Sequence, residues 1–162
     1  QEPSLMNQFP IFIALDVVDD HRQILPVAIS WSMPDGQIKS TLIAPDEDWE
    51  IEEIALGDLD LETVIDQGAT PAEIVTEMNL DFEDTTIYCF DEYQDIPALD
   101  ALFQALNDEP GFEVIAWQQA FSTTASETIF ETAAWVKEVN SLNLTMSEDR
   151  VKQMLICFAE LR

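Results

Sequence analysis

Basic residues are scarce in this chain. Arg22, Lys39, Lys137, Arg150, Lys152 and Arg162 stand against 33 acids, for a formal charge of −27. Between Lys39 and Lys137 there are 24 acids and no Lys, Arg or His. A nucleic-acid-binding surface needs the reverse, because its affinity comes largely from cations that neutralise phosphates. The field of this chain repels a polyanion and slows its encounter, so nucleic acid is disfavoured by charge as a partner. Three readings of the acidity stay open: a general adaptation to salt or solubility, a surface for a basic protein partner, or mimicry of nucleic acid.

Other scarcities exclude other chemistry. His21 is the only histidine, and the two cysteines, Cys89 and Cys157, are far apart. No zinc-ligand spacing results. A Ser–His–Asp triad would have to use His21, and no nucleophile elbow accompanies it. His21 itself reads as a solvated turn residue. With four glycines and no GxGxxG or GxxxxGK, the chain has no phosphate-cradling loop. The acidic cluster Asp46–Glu53 lacks the central Gly of a calcium loop. Both cysteines sit in apolar stretches and read as buried free thiols rather than a disulfide. No run approaches the roughly 18 apolar residues of a membrane span, and no export signal opens the sequence, so the expected setting is a bacterial-type cytoplasm without membrane attachment.

What is present is apolar sequence in an ordered pattern. Apolar residues make up 47% of 162, enough to bury a core in one domain over residues 6–162. Gln1–Leu5, ahead of Met6, carry no structural expectation. Phe9–Val17 reads as a central strand covered on both sides. Leu25–Met33 and Gln37–Ile43 flank Pro34-Asp35-Gly36, strong turn chemistry, and form an antiparallel hairpin. Asp46–Leu56 is weakly helical. Thr70-Pro71-Ala72-Glu73 starts a helix to about Met78. Thr85–Phe90 is a strand, Asp95–Leu106 an amphipathic helix, and Phe112–Trp117 a strand. Ser126–Val139 reads as a helix with Ile129, Phe130, Ala133, Val136 and Trp135 facing inward. Thr145-Met146-Ser147-Glu148 is a capping box for a last helix. The four tryptophans fall in apolar-periodic segments and read as core or core-edge residues. This order predicts an α/β fold, a mixed five-stranded sheet with helices on both faces, and it is the element order of the ribonuclease-H-like fold.

Three carboxylates stand out within that order. Hydrolysis of a phosphodiester by two metals gathers several carboxylates around cations about 3.5–4 Å apart. Asp16 interrupts an apolar strand, Asp95 begins a helix after a strand, and Asp149 lies in the first turn of the last helix. Acids at helix starts commonly serve the helix dipole or the cap, which accounts for Asp95 and Asp149. Asp16, inside an apolar run, is harder to explain structurally.

Leu15–Val18 (LDVV), Leu25–Trp31 (LPVAISW), Leu42–Pro45 with Trp49, Gly57–Leu61, Gly68–Met78 and Ile87–Phe103 together resemble a bacterial branch of the DEDD 3′–5′ exonucleases. The resemblance implies that Asp16, Asp95 and Asp149 would hold Mg²⁺ or Mn²⁺ and that the reaction would be hydrolysis at the 3′ end of a short single strand. The departures are specific. The Glu of the first motif is replaced by Val18, the general-base His by Leu144, and the Tyr of a variant motif by Thr145. A general base contributes about 10²–10⁴-fold. The expectation is therefore a degenerate member, impaired or inactive, serving as a binding or interaction module. An active exonuclease with a rearranged site, and an acidic inhibitor or nucleic-acid mimic that binds a basic protein, are the alternatives.

Overall fold

The computed structural model of the chain describes residues 8–20, 23–51, 56 and 59–162. Five strands form one sheet: β1 (Ile11–Asp20), β2 (Gln23–Ser32), β3 (Ile38–Leu42), β4 (Thr86–Cys89) and β5 (Glu113–Ala116). Their order across the sheet is β3-β2-β1-β4-β5. β1–β2 and β2–β3 pair antiparallel, whereas β1–β4 and β4–β5 pair parallel. The helices are α1 (Leu61–Gln67), α2 (Pro71–Asp81), α3 (Glu92–Gln104), α4 (Ser126–Val139) and α5 (Ser147–Leu161), with a 3₁₀ turn at Trp117–Ala120. This is the ribonuclease-H-like α/β arrangement expected from the order of the elements.

Alternation along β1 explains the two layers of core. Ile11, Ile13 and Leu15 point to one face, into a cluster with Ile74, Met78, Leu99 and Leu102 of α2 and α3. Phe12 and Ala14 point to the other, against Val136, Val151 and Met154 of α4 and α5. Burial of such side chains contributes about 1.5–3 kcal/mol each. The turn after β2 forms as its residues dictate: Gly36 takes φ 86° and donates its N–H to the Met33 carbonyl at 2.8 Å. Thr70 and Glu73 close the expected capping box on α2. Gly68 is required for space, since a Cβ there would lie 2.4 Å from the Val64 carbonyl oxygen and 2.5 Å from the Ala44 nitrogen.

Several expectations are corrected. α3 begins at Glu92 rather than Asp95, because the Asp91 carboxylate accepts the Tyr93 N–H and caps the helix earlier. The capping box at Thr145–Glu148 does not form; α5 has Met146 at its cap position with no side-chain bond, and Thr145 pairs with Asn143. Phe130 and Trp135 face outward on α4, because Ile129, Ala133 and Val136 already fill the arc that meets the core. Of the helix expected over Asp46–Leu56, residues 46–51 are turn and irregular backbone, and 52–55 lie outside the described residues, as do Gly57 and the turn at His21. α1, absent from the sequence reading, buries Val64 alone and so carries no periodic signal. Among the described residues, no helix is long and apolar enough to cross a membrane.

Candidate functional site

The carboxyl end of β4 meets the middle of β1, opposite Ile13, and α3 and α5 begin beside it. Ligand sites of open α/β sheets lie outside such carboxyl ends. β1 continues past β4, and its pairing with β2 shifts register at Asp16/Val17, opposite Pro26 and Val27. Proline has no N–H to give to a ladder and is accommodated at such a bulge. Asp16 therefore sits at an irregular point of the strand, on the face toward α5.

Both oxygens of Asp16 are occupied by the protein itself. Oδ1 accepts from Arg150 Nη2 at 2.8 Å, and Oδ2 accepts from the Ser147 backbone N–H at 3.1 Å. Ser147 is the first residue of α5, whose early N–H groups have no partner within the helix. The carboxylate thus caps α5 from a neighbouring strand, in place of the missing capping box. Arg150 also donates Nη2 to the Leu15 carbonyl at 2.7 Å and Nη1 to the Leu144 carbonyl at 2.8 Å. Its guanidinium lies 5.8 Å from the centre of the Phe90 ring. The Arg150 side chain is 8% exposed and that of Asp16 24%.

Asp95 is fully buried beside this pair. Its oxygens accept the Leu15 N–H at 3.1 Å and the Asp91 N–H at 3.0 Å. Burial pushes its carboxyl up to about 6, against the opposing pull of those two N–H groups and of Arg150. Gln94 Nε2 reaches the Leu15 carbonyl at 3.1 Å. The peptide groups of Leu15 thereby join Asp95, Gln94 and Arg150 into one network.

Asp149 has other partners. Its Oδ2 accepts the Asn143 N–H at 2.8 Å and its Oδ1 lies 3.7 Å from Lys152 Nζ, so it holds the loop between α4 and α5. Val18, at the position of the first motif's Glu, is buried with Leu25, Val27 and Leu56. Leu144, where the resemblance places a general base, offers its carbonyl to Arg150. Thr145 bonds to Asn143. Among the described residues no group of three or more His, Cys, Asp or Glu side chains is placed to hold a metal ion. A hard divalent cation needs several converging oxygen ligands. Here a guanidinium fills the place beside Asp16, and these residues do not fit Mg²⁺ or Mn²⁺ in this arrangement.

Sequence reasoning singled out Asp16, Asp95 and Asp149; the structure joins the first two through Arg150, which that reasoning missed, and gives Asp149 other partners. A signal existed: a cation in the first turn of a helix opposes the helix dipole and calls for an acidic partner. Next to the pair opens a cleft of about 850 Å³, bounded by Asp16, Arg150, Gln94 and the β2–β3 face. One wall carries a chain of hydroxyls, Ser40 to Ser30 at 2.7 Å and Ser30 to Ser147 at 2.8 Å. Cys89 and Cys157 are free and buried, their thiols pushed up to about 12 and about 11 by desolvation, which makes them unreactive.

No protein-family model and no curated sequence matches the chain. Solved structures do resemble it. Exonuclease I from Methylocaldum szegediense superposes with a TM-score of 0.50 at 15% identity, over 67% of this chain and 27% of that one. E. coli exonuclease I in complex with a dT13 oligonucleotide gives 0.51 at 10% identity, over 83% and 32%. A chain in the structure of the yeast NOT1 MIF4G domain co-crystallised with CAF1 gives 0.62 at 13% identity, over 94% of this chain and 78% of that one. The chain spans about a third of the length of the exonuclease I chains it matches. At such low identity the likeness speaks for the fold alone, a mixed five-stranded α/β sheet of the ribonuclease-H-like kind.

Proposed function

We propose that this chain is a degenerate exonuclease-like domain in which an internal cation closes the catalytic centre, and that it serves as a binding or interaction module. The observation that carries the reading is Arg150. Its guanidinium pairs with Asp16 at 2.8 Å and is tied to the Leu15 and Leu144 carbonyls. Displacing it would strand a nearly buried positive charge, which costs several kcal/mol, on the order of 3–5. A divalent cation entering the site would have to meet that cost and would then find Asp149 engaged elsewhere and Val18 in place of a carboxylate.

The remaining departures point the same way. Leu144 cannot deprotonate a water, and a charge of −27 opposes the approach of a polyanionic substrate. The partner this charge favours is a basic protein.

The test is a nuclease assay on 5′-labelled single-stranded DNA and RNA oligonucleotides, with Mg²⁺ or Mn²⁺ and protein in excess. Full-length substrate after prolonged incubation is the expected result. Metal-dependent shortening from the 3′ end that disappears in Asp16→Asn would overturn the reading and restore an active exonuclease with a rearranged site.

A further inference from the structure

Helix α4 presents an outer surface that its own fold does not cover. Phe130 is 57% exposed and Trp135 52% exposed, while Tyr93 at the start of α3 is 82% exposed. Large aromatic groups left in water mark interaction surfaces more often than ordinary protein surface does. On one side of α4 lies a groove of about 530 Å³ between Tyr93 and Phe130, floored by the buried Trp117 and bordered by Leu144. On the other side is a smaller depression of about 270 Å³ lined by Trp135, Glu131 and Glu160.

The charge around these features identifies what fits them. Glu127, Glu131 and Trp135 recur every four residues and form one exposed stripe on α4. Asp91 and Glu92 border the groove beside Tyr93. Glu131 and Glu160 make no ion pair among the described residues. An exposed indole in a depression that also holds two carboxylates attracts a Lys ammonium or Arg guanidinium, through the ring quadrupole and through charge. An apolar groove with exposed aromatic walls accepts a bulky aliphatic or aromatic side chain. The groove's one basic lining residue, Lys137, steers the partner's own charge away from the groove and toward the Trp135 side.

We propose that the outer ridge of α4 docks a cationic, amphipathic protein segment, with an apolar side chain between Tyr93 and Phe130 and a Lys or Arg over Trp135. The inference rests on the interaction-module reading and gives it a place and a partner chemistry. The groove borders the Asp16–Arg150 site, since Phe90 packs against the Arg150 guanidinium and Leu144 gives it a carbonyl, whereas the cleft at Asp16 opens along the β2–β3 face.

The probe is a dye-labelled amphipathic Lys–Leu peptide, followed by fluorescence anisotropy at physiological salt. A peptide of equal charge with Leu replaced by Gly serves as comparison. Wild-type protein should bind the Lys–Leu peptide saturably and at least about tenfold more tightly than the Gly peptide, an increment of one buried anchor. Phe130→Ala with Trp135→Ala should abolish that preference. Both residues are exposed, so the variant should keep the wild-type circular dichroism and melting temperature. Leu80→Ala, an exposed residue of α2 on the opposite face of the sheet, should bind as wild type does.

Equal affinity for both peptides, or a preference that survives the double substitution, would overturn the proposal and leave diffuse charge as the explanation. Concentration-dependent dimerisation lost in the same double variant would overturn it too, by making a second copy the occupant. The nuclease assay separates the two ideas. Peptide binding together with 3′ shortening would sink the non-catalytic reading and keep the docking ridge. Absence of both would keep the closed centre and discard the ridge.

Discussion

Replacing Arg150 by Met removes the cation and keeps a chain of similar length. Asp16 then loses one of its two partners but retains the Ser147 N–H, and the Leu144 carbonyl loses its guanidinium donor. Breaking a buried ion pair from one side costs about 3–5 kcal/mol, and the 24% exposure of Asp16 brings this toward about 2–3 kcal/mol. An unsatisfied carbonyl adds about 1 kcal/mol. The sum, about 3–4 kcal/mol, is a large fraction of the roughly 5–15 kcal/mol that holds a domain folded. At about 2–4 °C per kcal/mol for a chain of this size, the melting temperature should fall by about 6–16 °C. Urea unfolding followed by tryptophan emission reads the change, since Trp31 and Trp117 are buried. Asp16→Asn alone and combined with Arg150→Met completes a cycle, with an expected coupling of about 1–3 kcal/mol. A loss below about 1 kcal/mol in Arg150→Met, or strict additivity in the cycle, would refute the view that the two side chains form one structural unit.

Three other outcomes follow from the geometry. Asp95 titrates near 6 in the folded chain against an ordinary 3.8, so the folded state holds its proton more tightly. Its stabilising contribution is complete below about pH 4 and is lost as pH rises through about 6, a change of about 3 kcal/mol. Asp95→Asn should remove that part of the pH dependence, and unfolding curves of the two proteins that run parallel from pH 4 to 7 would contradict it. Gly68→Ala drives a Cβ into the Val64 and Ala44 backbone and should cost about 1–3 kcal/mol by urea denaturation, whereas unchanged stability would contradict the close approach. Thr70→Ala removes one half of the α2 capping box and should cost about 1 kcal/mol in the same assay, and an unchanged midpoint would refute the cap's contribution.

The core of the sheet was legible because β1 and β2 carry long apolar runs and the turn at Pro34–Gly36 has unambiguous chemistry. The helix starting at Pro71 was legible because both halves of its capping box lie within four residues. The orientation of α4 was not. Phe130 and Trp135 are apolar, but the width of the arc that meets the core depends on how closely α5 packs, which no local pattern encodes. The site was legible in halves. Asp16 and Asp95 stand out because each interrupts or borders an apolar segment. Their partners do not, since Arg150 reaches Asp16 across 134 positions and Asp95 reaches the Leu15 N–H across 80. The apparent capping box at Thr145 misled because Asp16, remote in sequence, reaches the Ser147 N–H.

Calorimetric titration of Mn²⁺ into the wild-type protein, with Asp16→Asn/Asp95→Asn alongside, tests most directly whether Arg150 has taken the metal's place. Weak, non-saturating heats of equal size in both proteins are expected, from diffuse surface charge alone. Saturable binding in the wild type that the double substitution abolishes would contradict the closed centre.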